Sequence, residues 1–421
     1  MEVQFPRGVR DLLPNEALIK NELVKKIELV YQKFGFLIIN TPSFESLEVL
    51  KAKNAIGEEN KLIYELKDEN IGLRYDHTIS LARYYAMHQE LPLPFKRYYI
   101  GNVWRRDEPQ KNRYREFTQA DIDILGGSSI YTDVEVMATA MKALEEIGIR
   151  YKLRINDRRF VDAILDKIGV GKDLHHSIFR IMDKLDKIGT EGVVKQLSDF
   201  GIRQDAIEQL IHIISFEGKN DEKLRILNSI LGEGNKLISD FKKMLDILAL
   251  YKLNCQIEVD FSLVRGIDYY TSTIFEFAGE GIKSSIGSGG RYDNLIGIFS
   301  GKNITAVGAS LGIDRILDLL DFSSSLQYTY SKVIINYIKE NNFNYALEVA
   351  NILRDNGINT EINLAQRNIA NQLAHANALN IIFAIIIGDS EEKTKMVKIR
   401  NLIDGKEELM KIEEAIYKLK Q

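Results

Sequence analysis

The residues best suited to chemistry lie in one stretch, Arg105-Arg106-Asp107-Glu108-Pro109-Gln110-Lys111-Asn112-Arg113-Tyr114-Arg115-Glu116-Phe117-Thr118-Gln119-Ala120-Asp121-Ile122-Asp123. From Lys96 to Arg115 seven residues are Lys or Arg and two are acidic, in a chain of formal net charge −4. A solvated, charged hairpin is the ordinary explanation of such a run. Here the arginines sit at the strand ends as well as at the loop tip. Strand-borne guanidiniums suit a bound polyanion, because their planar fork matches phosphate oxygens bidentately. Two more arginines stand apart from this stretch, Arg265 within Leu263-Val264-Arg265-Gly266 and Arg315 in the first turn of a helix after Val307–Gly312. Asp76-His77-Thr78 marks a strand–helix junction. A carboxylate and a hydroxyl two residues apart there can hold an ammonium group or cap the helix, and on pattern alone capping is the better reading. His77 by itself indicates no catalytic role, since lone histidines are more often structural.

Other candidates fail on their spacing. Gly169-Val170-Gly171-Lys172-Asp173 echoes a phosphate loop, but Asp166 stands where Gly is required and Asp173 where Ser or Thr is required. Gly287-Ser288-Gly289-Gly290-Arg291-Tyr292-Asp293 has Tyr292 where a dinucleotide fingerprint has its third glycine. Its dense glycines mean close backbone approach, to another strand or to a ligand. His175-His176 lacks metal spacing, and the methionines Met137 and Met141 read as packing. One cysteine, Cys255, excludes a disulfide framework and a cysteine zinc site. No metal site is expected.

The chain as a whole sets the frame for these residues. Its 421 residues are too many for one core and suggest two or three domains. With 45% apolar and 28% charged residues the composition is that of an ordinary soluble protein. No apolar stretch is long enough to span a bilayer, and the opening Met1–Gly8 lacks the apolar core of a signal peptide. A cytoplasmic protein with no membrane partner is the expectation. A pI near 6.0 argues against non-specific coating of nucleic acid but leaves room for a local basic site.

The elements that must position the chemistry follow from periodicity. Asn15 can cap a helix reaching about Phe34, with Leu18, Leu23, Ile27 and Val30 on its stripe and Gly35 as its stop. Phe36–Ile39 reads as a strand closed by Pro42, and Tyr64–Leu66 with Ile71–Tyr75 as a hairpin. Tyr98–Trp104 and Ile122–Leu125 are two antiparallel strands flanking the basic loop. Residues 160–250 are helical throughout and look like an insertion. Strands return at Ile257–Phe261, Leu263–Thr271 and Thr273–Phe277. After the short linker Phe322–Gln327 the pattern changes. Strands at 332–338, 358–363, 381–387 and 396–402, with helices at 342–356, 366–378 and 410–419, predict a separate α/β domain with parallel crossovers. From residue 328 onward there are twelve basic and twelve acidic residues, so this domain is not a basic clamp.

Without a Walker loop, a Rossmann loop or a metal cluster, a bound nucleotide would have to be gripped by arginine side chains. That is the logic of an adenylate-forming site: a carboxylate attacks the α-phosphorus, pyrophosphate leaves, and cations neutralise the five-coordinate charge. At this point the chain resembles the histidyl-tRNA synthetase family, within the class II aminoacyl-tRNA synthetases, over nearly all its length. Arg105–Asp123 resembles motif 2, Gly308–Arg315 motif 3, and the helix and strand ending at Pro42 motif 1. Leu263–Thr271 and Gly289-Gly290-Arg291-Tyr292-Asp293 resemble the two signatures peculiar to the histidine enzymes, and Arg7-Gly8-Val9-Arg10-Asp11 fits as well.

The resemblance implies an α+β fold. An antiparallel-sheet class II catalytic core would span 1–325, with a helical insertion at about 165–250 lying over the acceptor stem, and an α/β anticodon-binding domain would span 328–421. It implies ATP as a substrate with Mg2+, L-histidine and tRNA(His) as partners, and a homodimer. Arg105, Arg265 and Arg315 would be catalytic. Arg105 would bind the α-phosphate and the amino-acid carboxylate, Arg315 the γ-phosphate, and Arg265 would act as a cation at the α-phosphate. Asp107, standing where the family usually has glutamate, would read the adenine amino group, and Arg113 and Arg115 would hold the phosphates or the motif 2 loop. The histidine set would be Asp76, His77, Thr78, Arg105, Gln119, Asp123, Arg265, Tyr269 and Tyr270, with Asp76 and Thr78 on the ammonium group. Asp76 and Asp123 replace the glutamates of some relatives, as in the archaeal and eukaryotic branch. The alternative is a non-catalytic, histidine-binding regulatory relative. Such proteins typically lose motif arginines and the C-terminal domain, and this chain keeps both.

Overall fold

The computed structural model describes residues 4–52, 57–182, 184–264, 269–282, 284–320, 329–365 and 368–420. The chain divides into two compact units, Met1–Arg10 with Glu22–Leu320, and Asp11–Asn21 with Asp321–Gln421. Among the described residues no helix is long and apolar enough to cross a membrane.

The first unit is organised on an eight-stranded sheet. Its order in space is Leu37–Ile38, Phe95–Trp104, Glu116–Leu125, Ala306–Gly312, Ser285–Arg291, Thr273–Gly279, Tyr151–Asp157 and Gln256–Val259. The five inner pairings are antiparallel, and only the two edge pairings are parallel. The two longest strands, Phe95–Trp104 and Glu116–Leu125, are the ones that carry the basic loop, and they pair along their whole length from Phe95↔Leu125 to Trp104↔Glu116. Successive side chains of the strand Glu116–Leu125 point to opposite faces of the sheet, and all from Ala120 to Leu125 are buried. Ala120, Ile122 and Ile124 are buried in the core, so Phe117, Gln119, Asp121 and Asp123 share the other face.

The first helix, Pro14–Lys33, buries Leu23, Ile27, Val30 and Tyr31, and Gly35 ends it at φ +77°. The helical insertion comprises six helices from Arg158–Lys167 to Lys236–Leu250. It is a crossover: the strand entering it, Tyr151–Asp157, pairs in parallel with the strand leaving it, Gln256–Val259. The entering strand is absent from the sequence reading. The strand expected over Leu263–Thr271 does not form in the described part. Residues 263–264 and 269–272 are loop, residues 265–268 lie outside the described residues, and the strand begins at Thr273.

The second unit has a five-stranded sheet in the order Thr360–Ile362, Val333–Tyr337, Phe383–Ile387, Met396–Asn401, Glu407–Lys411. The first three strands are parallel and the last two run antiparallel. The crossover pattern read from the sequence therefore holds for three strands and then gives way to a hairpin. Glu407–Lys411 buries one residue, Met410, which is why its apolar alternation is invisible. Ile335, Val349, Leu353, Ile385, Val397, Ile399 and Leu419 form this unit's core.

The glycines of Gly287–Gly290 serve strand approach. A Cβ on Gly289 would lie 2.3 Å from the Gly308 carbonyl oxygen and 2.4 Å from the Phe275 ring. Backbone cannot yield at that distance. Gly289→Ala should therefore lower the unfolding free energy by about 1–3 kcal/mol, read as a lower midpoint in urea at unchanged slope.

Candidate active site

A cavity of about 340 Å³ opens over the centre of the first unit's sheet. That volume is at the small end of the range for ligand pockets. The strand Glu116–Leu125 supplies Phe117, Gln119, Asp121 and Asp123 to its lining. The neighbouring strand Ala306–Gly312 supplies Gly308 and Ser310, and the helix after it supplies Asp314 and Arg315.

One end of the cavity is cationic. Arg105 follows directly on the strand Phe95–Trp104. Its guanidinium lies 4.2 Å from the Tyr75 ring centroid and 5.2 Å from that of Phe117, and its Nε donates to the Tyr75 carbonyl at 3.2 Å. Arg315 donates from Nη1 to the Ser285 carbonyl at 2.9 Å. Burial and then the neighbouring Arg105 and Arg113 push the Arg315 guanidinium below its ordinary value. A cation depressed by other cations marks positive charge that its surroundings leave unneutralised, which is the property of an anion site. Arg113 lines the same end and holds Asp107 in a two-point pair, Nη2–Oδ1 at 2.6 Å and Nε–Oδ2 at 3.1 Å. Glu59, from the short helix Gly57–Leu62, also lines this end, and burial raises its carboxyl.

The other end is buried and acidic. Asp76 is the N-cap of the helix His77–Met87. Its Oδ1 accepts from the Ile79 N–H at 2.9 Å, and its Oδ2 accepts from the Tyr269 hydroxyl at 3.4 Å. Capping and cavity lining thus coincide in one side chain. Asp123 is held at both oxygens: the Tyr292 hydroxyl donates to Oδ1 in a short hydrogen bond, and Arg97 Nη2 lies 2.5 Å from Oδ2. Tyr269, Tyr270 and Tyr292 pack edge to face, with centroids 5.1 and 5.6 Å apart. Gln119 donates from Nε2 to Ser310 Oγ at 2.8 Å and leaves its buried Oε1 without a hydrogen-bond partner. Burial pushes the Asp121 carboxyl up to about 7. Arg97 and Ser310 oppose that shift, and Asp123 and Asp76 add to it.

Of the residues picked from the sequence, Asp76, Thr78, Arg105, Asp107, Arg113, Gln119, Asp123, Tyr269, Tyr270 and Arg315 come together at this cavity. Arg265 lies outside the described residues. His77 is not part of the lining. Its ring packs on Tyr99 at 4.4 Å, its Nε2 lies 3.2 Å from the Gly101 carbonyl, and burial followed by Arg74 and Arg97 keeps it well below the usual imidazole range. Arg115 is a strut of the loop instead, with Nε donating to the Asp107 carbonyl and Nη1 to that of Arg7. Glu59, Asp121 and Tyr292 escaped the sequence reading. The period-2 alternation through Gln119 and Asp123 contains the signal for Asp121, and Tyr292 sits in the glycine-rich signature. Nothing local marks Glu59. Among the described residues no three His, Cys, Asp or Glu side chains gather as metal ligands. The donor set does not fit a resident ion.

The cavity thus lies over a largely antiparallel sheet, with arginines at one end and carboxylates at the other, and the family matches identify it as the catalytic domain of a class II aminoacyl-tRNA synthetase. The histidyl-tRNA synthetase family model matches residues 8–316, and an anticodon binding domain model matches 332–421. A histidine–tRNA ligase from Korarchaeum cryptofilum is 37% identical over 97% of this chain and 100% of its own length. One from Aeropyrum pernix is 36% identical over 98% and 96%. The crystal structure of histidyl-tRNA synthetase from Nostoc sp. PCC 7120 superposes with a TM-score of 0.87 at 27% identity, covering 100% of this chain and 99% of that one. The chain belongs to the histidyl-tRNA synthetase family.

The Asp121 carboxyl has a testable consequence for stability. Its folded value lies above that of an exposed aspartate, so the folded protein holds a proton that the unfolded chain releases as pH rises from about 4 to 7. Over that window Asp121 costs stability. Asp121→Asn should be more stable than the parent at pH 8 by about 1–3 kcal/mol, with the difference vanishing near pH 4 in paired melting curves.

Proposed function

We propose that this chain is a histidine–tRNA ligase that works in two steps. In the first, the carboxylate oxygen of L-histidine attacks the α-phosphorus of ATP, forming histidyl-adenylate and releasing pyrophosphate. In the second, a ribose hydroxyl at the 3′ end of tRNA(His) attacks the acyl carbon and AMP leaves. The observation that carries the reading is the polarity of the cavity, with guanidiniums at one end and buried carboxylates and tyrosines at the other, in a chain of this family.

Each residue then has a role its position allows. Arg105 bridges the α-phosphate and the substrate carboxylate, stacked so that it cannot swing away. Arg315 takes the γ-phosphate. Arg113 holds Asp107 in place to receive the adenine amino group. Arg265 is assigned the α-phosphate by resemblance. Asp76 and Thr78 receive the substrate ammonium group. Gln119, Asp123, Tyr269 and Tyr270 line the imidazole pocket. An imidazole needs partners at both nitrogens, and a pocket that meets both rejects ring isosteres by roughly 10⁴–10⁵. His77 and Arg115 are left out of this set, because their side chains serve the wall and the loop. Magnesium arrives with the ATP phosphates, the usual mode for this ion, and no step is assigned to it here.

The C-terminal unit is assigned to the anticodon and the helical insertion to the acceptor stem. Leu37 and Ile38, on the edge strand of the large sheet, are 62% and 58% exposed, and Leu29 on the first helix is 55% exposed, apolar surface suited to a second copy in a cytoplasmic homodimer. The retained arginines favour this reading over a regulatory, non-catalytic one, which needs no triphosphate grip.

Pyrophosphate exchange with each of the twenty amino acids should be stimulated by histidine alone, and exchange with none of them refutes the reading. Arg265→His should slow exchange by roughly 10²–10³, the scale of one transition-state contact. Deleting residues 328–421 should leave exchange intact and weaken tRNA binding, whose dependence on salt should be steep in the full chain. Intact aminoacylation after that deletion would refute the division of labour.

A further inference from the structure

Three carboxylates face the buried end of the cavity, and in two of them each oxygen has a partner, although Arg97 meets Asp123 Oδ2 as an ion pair without a hydrogen bond. Asp76 caps a helix and meets Tyr269, and Asp123 is fixed between Tyr292 and Arg97. Asp121 differs. One oxygen is served by the Ser310 hydroxyl, while its Oδ1 has no hydrogen-bond partner although the residue is 3% exposed. A buried acceptor left unmet costs free energy, and such groups are kept where a ligand completes them.

The register says which part of a ligand arrives there. Asp121 stands opposite Tyr99 on one neighbouring strand and Ser310 on the other. It lies between Gln119 and Asp123 on one strand face, with successive side chains of that face roughly 7 Å apart. A ring held at Asp123 therefore lies one same-face step from Asp121.

Resting on the reading of this cavity as a histidine site, we propose that Asp121 Oδ1 accepts an N–H of the substrate imidazole, as a second ring acceptor beside Asp123. A protonated imidazole carries two N–H donors, and the pocket then offers a carboxylate to each. Burial raises the empty Asp121 carboxyl; Arg97 and the Ser310 hydrogen bond oppose this, and Asp123 and Asp76 add to it. A donor supplied by the ligand is what its ionised form lacks.

Two measurements test the contact. Calorimetry on the parent and Asp121→Asn should show histidine binding weakened roughly 10- to 100-fold, the range of a charged hydrogen bond, with ATP binding changed less than about twofold. Unchanged histidine affinity, or an equal loss for both ligands, overturns the proposal. A structure of the parent protein with L-histidine needs no variant. It should place a ring nitrogen within about 3.2 Å of Asp121 Oδ1. A ring beyond hydrogen-bond reach, or the ammonium group in its place, overturns the proposal as well. If the parent protein shows no histidine-dependent exchange, the wider reading of the site falls. If it exchanges and the variant binds histidine normally, only the role of Asp121 falls.

Discussion

The cavity depends on holding like charges together in the absence of what neutralises them. Arg315 is half-buried, and desolvation followed by Arg105 and Arg113 depresses it. Asp76, Asp121 and Asp123 are buried together at the far end, and burial raises each of them; Arg97 opposes the shift in all three, and neighbouring carboxylates add to it at Asp121 and Asp123. Both arrangements oppose folding, and Arg97 beside Asp123 offsets only part of the cost at the acidic end, since an incompletely compensated buried charge is among the costlier features a protein can keep. A ligand with negative charge at one end and N–H donors at the other relieves both at once. Its binding energy therefore includes strain already stored in the free protein, and occupancy should raise stability by linkage.

Only a stiff frame can hold such groups in place. Gln119, Asp121 and Asp123 project from a strand paired on both sides from Gln119 to Leu125, which fixes their spacing. The glycines on the adjoining strands let backbone approach where a side chain would intrude. A Cβ at Gly308 would lie 2.0 Å from Asp123 Oδ1. The large helical insertion attaches where it disturbs none of this. It leaves and re-enters through two strands paired with each other at the sheet's edge, away from the central strands that line the cavity. Loops and insertions can vary at such an edge while the floor stays rigid.

How much of this was legible in the sequence depended on whether the signal was local. Of the strand Glu116–Leu125 the sequence reading catches only Ile122–Leu125, because the polar residues from Glu116 to Asp121 continue the basic loop without a change of composition. The basic run could not separate Arg105, stacked at the cavity, from Arg115, turned back to brace the loop against Arg7 and Asp107. Adjacent residues at a helix start diverge in the same way. Asp76 faces the cavity and His77 faces Tyr99, a split set by cap geometry that residue type does not record. Glu59 reaches the site only through the tertiary fold. The strand Glu407–Lys411 is held by ladder bonds to Met396–Asn401 with little burial, so hydrophobic periodicity had nothing to report.

The acidic end also explains why selectivity and instability go together here. An apolar pocket of the same volume would be easier to fold, yet it would distinguish imidazole from another flat ring only by shape, a matter of one to two orders of magnitude. Unmet acceptors reverse that balance. A ligand that brings no donor to them leaves Asp121 Oδ1 and Gln119 Oε1 buried and unpartnered, as they are in the free protein. The penalty that burdens the empty cavity is thus the one that falls on the wrong ligand, and only a ring that donates removes it. A more stable cavity floor, with Asp121 made neutral or apolar, would discriminate less for the same physical reason.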